Sequence, residues 1–332
     1  MIFPLIRTLT LRKILNYFLV VSSYYLSILL KRPIIWGMPY AISIESTAIC
    51  QLACPECQTG LGLLERNQKL ISDASFYSTI DQLSPFLFHV QLNFQGEAFN
   101  HPKIIEFIEY LHQKKILTGI SSHAQNIDES LARPIVDSGL TNLIVSIDGT
   151  DEESYSKYRE NGFLSKSLKA VGIINALKKT KNRKTPLLIM QFIVFRHNEH
   201  QIPQLSAFSK QHGFDKLHIK TAQLNNFERG HNSLPLNENY CRYKADSNGK
   251  YSIKSTLANH CFRSWSRCII TTDGVAIPCC FDKNANYPYG NLGSQSFSSL
   301  WKGEESINFR KKILHNRKSI DICCNCTEGL RI

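Results

Sequence analysis

The stretch Tyr40-Ala-Ile-Ser-Ile-Glu45-Ser-Thr-Ala-Ile-Cys50-Gln-Leu-Ala-Cys54-Pro-Glu-Cys57 passes from a short β-rich apolar run into three closely spaced cysteines. Tyr40 to Glu45 reads as a strand, and the cysteines open the loop at its C-terminal end, where parallel α/β folds collect functional groups. A loop can fold three thiolates onto three corners of a tetrahedron or of a cubane. With cysteine at about 3% of residues, such a triplet arises by chance roughly 0.01 times in a chain of this length. A structural zinc site is closed by four protein ligands, whereas a three-cysteine cubane leaves one iron open to a substrate or cosubstrate.

Downstream, β-rich runs alternate with helical periods, the signature of parallel βα units. Strands are expected at Tyr40 to Glu45, His89 to Phe94, Leu117 to Ser121, Leu143 to Ile147, Leu187 to Val194 and Lys216 to Lys220. Helices are expected near 73–84, 102–114, 128–138, 164–178 and 200–212, with Asp73, Pro102, Asp128 and Pro203 near the starts and Gly213 at a stop. This pattern predicts a barrel-like or doubly wound parallel sheet. The expected division is 1–36 as an apolar helical segment, 37–225 as the core, 226–260 as a connection and 261–332 as a small cysteine-organised module.

That module contains Cys261, Cys268, Cys279, Cys280, Cys323, Cys324 and Cys326. Asp273-Gly274 is a strong hairpin signal, so the cysteines on its flanking strands, Cys261 and Cys279, should approach each other. Cys323 and Cys326 add a Cys-x2-Cys corner, making four thiolates for one closed site, suited by spacing alone to zinc or to an iron-sulfur cluster. Cys280 and Cys324 each adjoin a candidate ligand and could take its place. Cys268 reads as outside the ligand set, Cys241 as a buried small hydrophobe or a free thiol, and Trp265 and Trp301 as core.

The chain has 332 residues, 39 Lys+Arg against 27 Asp+Glu, a formal charge of +12 and 43% hydrophobic residues, which excludes disorder. Eleven cysteines is too dilute and too clustered for a secreted disulfide scaffold. Residues 14–30 carry no charge and lie between Arg12-Lys13 and Lys31-Arg32. A helix of that length spans about 26 Å, short of the roughly 30 Å hydrocarbon core, so packing on the domain or contact with a membrane surface is expected before a full span. The charge raises nucleic acid as a partner, yet no RNA-binding or helix-turn-helix signature supports it, and none is expected.

The cysteine loop resembles that of the radical SAM superfamily, whose Cys-x3-Cys-x2-Cys follows the first strand of a partial (βα)6 TIM-like barrel. The resemblance implies a 4Fe-4S cluster on Cys50, Cys54 and Cys57 that binds S-adenosylmethionine. Gln95-Gly96-Glu97 looks like the segment holding the amino group of that cosubstrate, and Ser146-Ile147-Asp148-Gly149 looks like its ribose-contacting segment. Ser122, in Ser121-Ser122-His123, stands where relatives often carry Thr-Asn-Gly. Arg159 offers a planar fork to the cosubstrate carboxylate. Glu56 replaces an aromatic residue common before the third cysteine, and Ala98 a common proline. The second cluster resembles SPASM and twitch domains, which implies one auxiliary 4Fe-4S cluster on Cys261, Cys279, Cys323 and Cys326.

The function so implied is reductive cleavage of S-adenosylmethionine to a 5′-deoxyadenosyl radical that abstracts hydrogen from a substrate. Peptide or protein modification is preferred, with a sugar, cyclitol or lipid-linked head group as the alternative and a zinc-stabilised binding protein as the non-enzymatic one. Lys220 and Gln191, with Glu199, are candidates to line the substrate pocket. An external one-electron reductant of flavodoxin or ferredoxin type is implied. Reduced thiolates and oxygen-sensitive iron point to the cytoplasm, with contact to a membrane through the N-terminal segment.

Overall fold

A computed structural model describes residues 6–66 and 68–327. The chain opens with α1 (Leu11–Leu30), capped by Thr10, whose side chain accepts from the Lys13 N–H. After β1 (Ala41–Ile44) come α2 (Asp73–Leu83), capped by Ser72, and β2 (His89–Gln91). β2 ends at Gln91, short of the expected Phe94, and the chain turns at Gly96, φ +69°. There follow α3 (Ile104–Gln113), β3 (Leu117–Ser122), α4 (Glu129–Asp137), β4 (Asn142–Ser146), a short α5 (Glu152–Ser156), α6 (Leu164–Thr180) and β5 (Leu187–Val194). Asp128 caps α4 by accepting from the Leu131 N–H. The helix expected over 200–212 is a 3-10 segment, Glu199–Gln204, followed by α7 (Leu205–Gln211), since Pro203 cannot donate a backbone bond.

β6 (Lys216–Thr221) leads into the stretch expected to be a plain connection, which holds an antiparallel hairpin of β7 (Tyr243–Ala245) and β8 (Tyr251–Ile253). α8 (Arg263–Ser266) precedes β9 (Arg267–Ile270), β10 (Val275–Ile277), β11 (Gly290–Asn291), α9 (Phe297–Lys302) and α10 (Glu304–Asn316).

These elements form two compact units that cut across the sequence segments. The first combines the chain through Ile49 with Leu64–Gly119 and Leu257–Cys326. In it β1, β2 and the start of β3 are parallel, and β9 joins the other side of β1, with Ala41 opposite Arg267 and Ile44 opposite Ile270. β9 and β10 form the expected hairpin around Asp273-Gly274, and β11 extends it. The C-terminal segment thus covers what would be an open edge of β1. Arg310, Trp265 and Trp301 are fully buried in this unit, the guanidinium lying 4.2 Å from the Trp301 ring centre. The second unit combines Cys50–Leu63 with Ile120–Thr256. Its sheet runs β4, β5, β6, all parallel, and α4 packs against α6.

α1 docks on the first unit through its polar side. Asn16 donates to the Met38 carbonyl at 2.9 Å and accepts from the Met38 N–H at 2.8 Å, and the Trp265 indole donates to Ser27 Oγ at 3.2 Å. Lys13 Nζ donates to the Lys115 carbonyl at 3.0 Å. Burial, and then the Lys115 charge, pull the Lys13 pKa down from 10.5 to about 8. The folded state therefore binds fewer protons than the unfolded chain between pH 8 and 10.5, and stability rises with pH across that window. Thermal unfolding should show wild type gaining on Lys13→Met as pH is raised from 7.5 to 10; a constant difference would contradict this.

Candidate iron-sulfur and cofactor sites

The cysteine loop is a tight coil in the second unit. The Cys57 N–H bonds the Cys54 carbonyl at 3.1 Å, and the Ala53 N–H bonds the Glu160 carbonyl at 3.1 Å. Gly60 is required here, because a Cβ on it would lie 2.6 Å from the Cys54 nitrogen. Cys54 is buried and Cys50 and Cys57 are half-buried. All three pack on one apolar cluster that includes Leu52, Tyr158, Phe195 and Leu224. Three thiols on an apolar floor fit a cluster that must be shielded from water. Glu56 accepts from the Asn225 N–H at 2.8 Å and approaches His231 at 3.6 Å, tying the loop to the segment after β6. It is therefore a fastener, a role with no signal in the local sequence.

Asp148 and Arg159 make the central polar contact of this unit. The carboxylate is fully buried, and one oxygen accepts from Arg159 Nε and Nη2, each at 2.6 Å. The other accepts from the Ile193 N–H at 2.6 Å. Both oxygens of Asp148, in the segment that resembles a ribose-contacting one, thus hold protein donors. Arg159 likewise turns its Nε edge to Asp148, while Nη1 reaches Cys54 Sγ at 3.8 Å. Burial disfavours the guanidinium charge, but Asp148 and Cys54 outweigh it, and its pKa is raised. Burial raises the Cys54 pKa, and Arg159 partly offsets that. Removing one member of a buried pair costs about 3–5 kcal/mol. Asp148→Ala should therefore lower the melting temperature by several degrees, and adding Arg159→Met should restore part of the loss; an unchanged melting curve for Asp148→Ala would contradict this.

Ser146, at the end of β4, is buried and opposes Gln191 in β5. Ser122 is buried, its hydroxyl accepting from the Ala124 N–H at 2.7 Å. Lys220 lies opposite Ile193 in the β5–β6 register and is exposed, whereas Gln191 is half-buried. Glu199 accepts from the Leu236 and Asn237 N–H groups, which makes it a loop staple.

In the first unit, Gly96 brings the Gln95-Gly96-Glu97 turn against the residues that precede Cys50. A Cβ at Gly96 would stand 2.4 Å from the Thr47 carbonyl oxygen. The Glu97 N–H donates to the Ile49 carbonyl at 2.8 Å. Both Gln95 and Glu97 are buried, and one Glu97 oxygen accepts from the Phe99 N–H at 3.3 Å.

The C-terminal cysteines resolve more sharply. Cys261, Cys279, Cys323 and Cys326 line one cavity, together with Arg317. Cys280 and Cys324 lie outside it and are exposed. Cys261 does not stand on a hairpin strand as expected; it precedes α8, and Cys268 occupies β9, fully buried. As the side chains stand, no three His, Cys, Asp or Glu among the described residues form a closed ligand set for a metal ion. The four thiols share the cavity, and Cys261, Cys323 and Cys326 also share a cation. Arg317 Nη2 donates to Cys326 Sγ at 3.4 Å, and its pKa is raised because Cys261, Cys326 and Cys323 outweigh the cost of its burial. Burial pushes the Cys323 thiol up to about 11, partly offset by Arg317. Ligation must displace such protons, and a buried cation then balances the sulfur charge. Sequence reasoning missed Arg317, which lies between the cysteine pairs with no motif around it.

A separate cavity of about 160 Å³ adjoins Cys279 and Cys280. Its wall includes Ser43, His89, Gln91 and Arg267, alternate residues on one face of β1, β2 and β9. Burial, then the Arg267 charge, pull the His89 pKa down to about 4, so the imidazole is neutral at pH 7.

Residues 261–327 match the SPASM family model, described as an iron-sulfur cluster-binding domain. Three solved proteins share the fold over most of the chain. Streptococcus suis SuiB bound to S-adenosylmethionine is 14% identical, with TM-score 0.65, covering 89% of this chain and 74% of that one. Native anSMEcpe with bound AdoMet is 17% identical, with TM-score 0.61 and coverage of 88% and 90%. BtrN in complex with AdoMet and 2-DOIA is 14% identical, with TM-score 0.53 and coverage of 87% and 92%. The chain has the α/β fold of radical SAM enzymes and carries a C-terminal SPASM domain.

Proposed function

We propose that this chain is a radical SAM enzyme that reductively cleaves S-adenosylmethionine and abstracts hydrogen from a peptide or protein. The observation that carries this reading is the coil of Cys50, Cys54 and Cys57 at the head of the β1 loop, packed on an apolar floor within this fold. Those thiolates would hold a 4Fe-4S cluster, and Cys261, Cys279, Cys323 and Cys326 a second, auxiliary one. A cluster held there would supply one electron for cleavage of the sulfonium bond to C5′ of bound S-adenosylmethionine, giving methionine and a 5′-deoxyadenosyl radical. The electron comes from an external flavodoxin-like or ferredoxin-like donor, in a reducing compartment such as the cytoplasm.

The protein's own contribution is orientation and exclusion of water. Glu97, beside Ile49, offers an anionic acceptor to the amino group of the cosubstrate. Arg159 keeps a cation at Cys54, and Asp148 is its positioning residue. Ser122 and Ser146 offer hydroxyls at the ends of β3 and β4. The peptide preference is supported by two structural neighbours, SuiB solved with its precursor peptide SuiA and anSMEcpe solved with a Cp18Cys peptide. BtrN, solved with 2-DOIA, supports a small cyclic substrate as the second reading.

A mass-resolved assay distinguishes the two. Deuterated candidate peptides and sugars are incubated with reduced enzyme and S-adenosylmethionine, and deuterium is sought in 5′-deoxyadenosine. Label arriving from a peptide supports the proposal; label arriving only from a sugar or cyclitol overturns the peptide preference.

A further inference from the structure

α1 is built inside out. A helix on a water-soluble domain turns its apolar stripe to the core and its polar stripe to solvent. Here Lys13, Asn16, Ser23 and Ser27 are buried in the first unit alongside only Val20 and Tyr24, while Leu11, Leu15, Phe18, Tyr25 and Leu29 are 73, 54, 60, 64 and 76% exposed. Those five lie at helical spacing along the outer face. Trp36, 47% exposed, adds an aromatic ring beside them, and Leu11, Leu15, Leu19, Trp36 and Phe86 line an open apolar groove. A contiguous apolar surface of this kind marks an interaction site.

The charge around the face selects the partner. Arg7, Arg12, Lys31 and Arg32 flank it and are exposed, and Glu45 is the first acidic residue of the chain. Arg12 and Lys302 border the groove, and no carboxylate among the described residues lines it. A second copy of this chain would bring cations against cations. An anionic lipid surface instead takes the apolar face into its acyl boundary and the Arg and Lys side chains to its head groups. We infer that α1 seats this protein on the surface of an anionic membrane, lying in its plane. It does not cross the bilayer, although it is long and apolar enough by composition. Crossing would tear Asn16 from Met38, Ser27 from Ile34 and Tyr24 from His260, leaving buried polar groups without partners.

The test is co-sedimentation of the full chain with vesicles of phosphatidylcholine alone or mixed with phosphatidylglycerol. Binding is expected to the mixed vesicles, weakened by salt and lowered about tenfold or more by Leu15→Glu with Phe18→Glu. Both positions are exposed, so circular dichroism should match wild type; Arg12→Gln with Arg32→Gln gives a second variant that weakens binding without touching the apolar face. Three results would overturn the inference: no binding to mixed vesicles, binding released only by detergent and not by salt or alkaline wash, or a salt-stable dimer that Leu15→Glu with Phe18→Glu dissociates while vesicle binding is absent.

Discussion

Alanine at Cys50, Cys54 or Cys57, one position at a time, is expected to abolish 5′-deoxyadenosine formation and lower anaerobically reconstituted iron from about eight per chain to about four. On the proposed assignment each change removes one of three cluster ligands. Cys54→Ala carries a further consequence, since Arg159 Nη1 lies 3.8 Å from its sulfur and would lose that neighbour. Its pairing with Asp148 should nevertheless hold the second unit together. The expected signature is therefore lost activity with retained fold and retained auxiliary iron, read by iron analysis and circular dichroism on one sample. Residual cleavage above a few per cent of wild type in all three variants would mean that the site lies elsewhere.

The second large effect is expected at the C-terminal cavity, where two pairs of adjacent cysteines separate cleanly. Cys279→Ala and Cys323→Ala should each lose the auxiliary cluster, with loss of about four irons and a marked fall in thermal stability, because binding energy at a closed site adds to folding energy. Cys280→Ala and Cys324→Ala should keep both iron and stability, as those thiols are exposed outside the cavity. Arg317→Met tests the balancing cation. It should leave four thiols in place yet weaken cluster retention, measured as faster iron loss to a chelator. Equal iron loss in Cys280→Ala and Cys279→Ala would refute the assignment.

The parallel βα order was legible because short β-rich runs alternate with helical periods; Leu187–Val194, apolar but for Gln191, forms with the limits its residues suggest. The Asp273-Gly274 turn was legible because few residues accept its backbone, and Gly274 has φ +78°. How far the hairpin strands extend was not, so Cys261 was put on a strand when it precedes α8. Long-range polar pairings were equally hidden. Nothing near Glu56 announces Asn225, and nothing near Asp148 shows that it accepts from Arg159 and Ile193. Hydropathy marked α1 as apolar but could not say which face the fold would take, and it took the one that carries Lys13, Asn16, Ser23 and Ser27 beside Val20 and Tyr24. Ser-x3-Ser and Asn on that face look like dilution of an apolar run until their partners are seen.

The most direct test of the central claim is electron paramagnetic resonance of dithionite-reduced, anaerobically reconstituted protein with and without S-adenosylmethionine. An open iron on the cluster of Cys50, Cys54 and Cys57 predicts a spectrum that changes on addition of S-adenosylmethionine in wild type and does not change in Cys54→Ala. A signal unaffected by S-adenosylmethionine in wild type, or a protein that takes up zinc and no iron, would contradict the account.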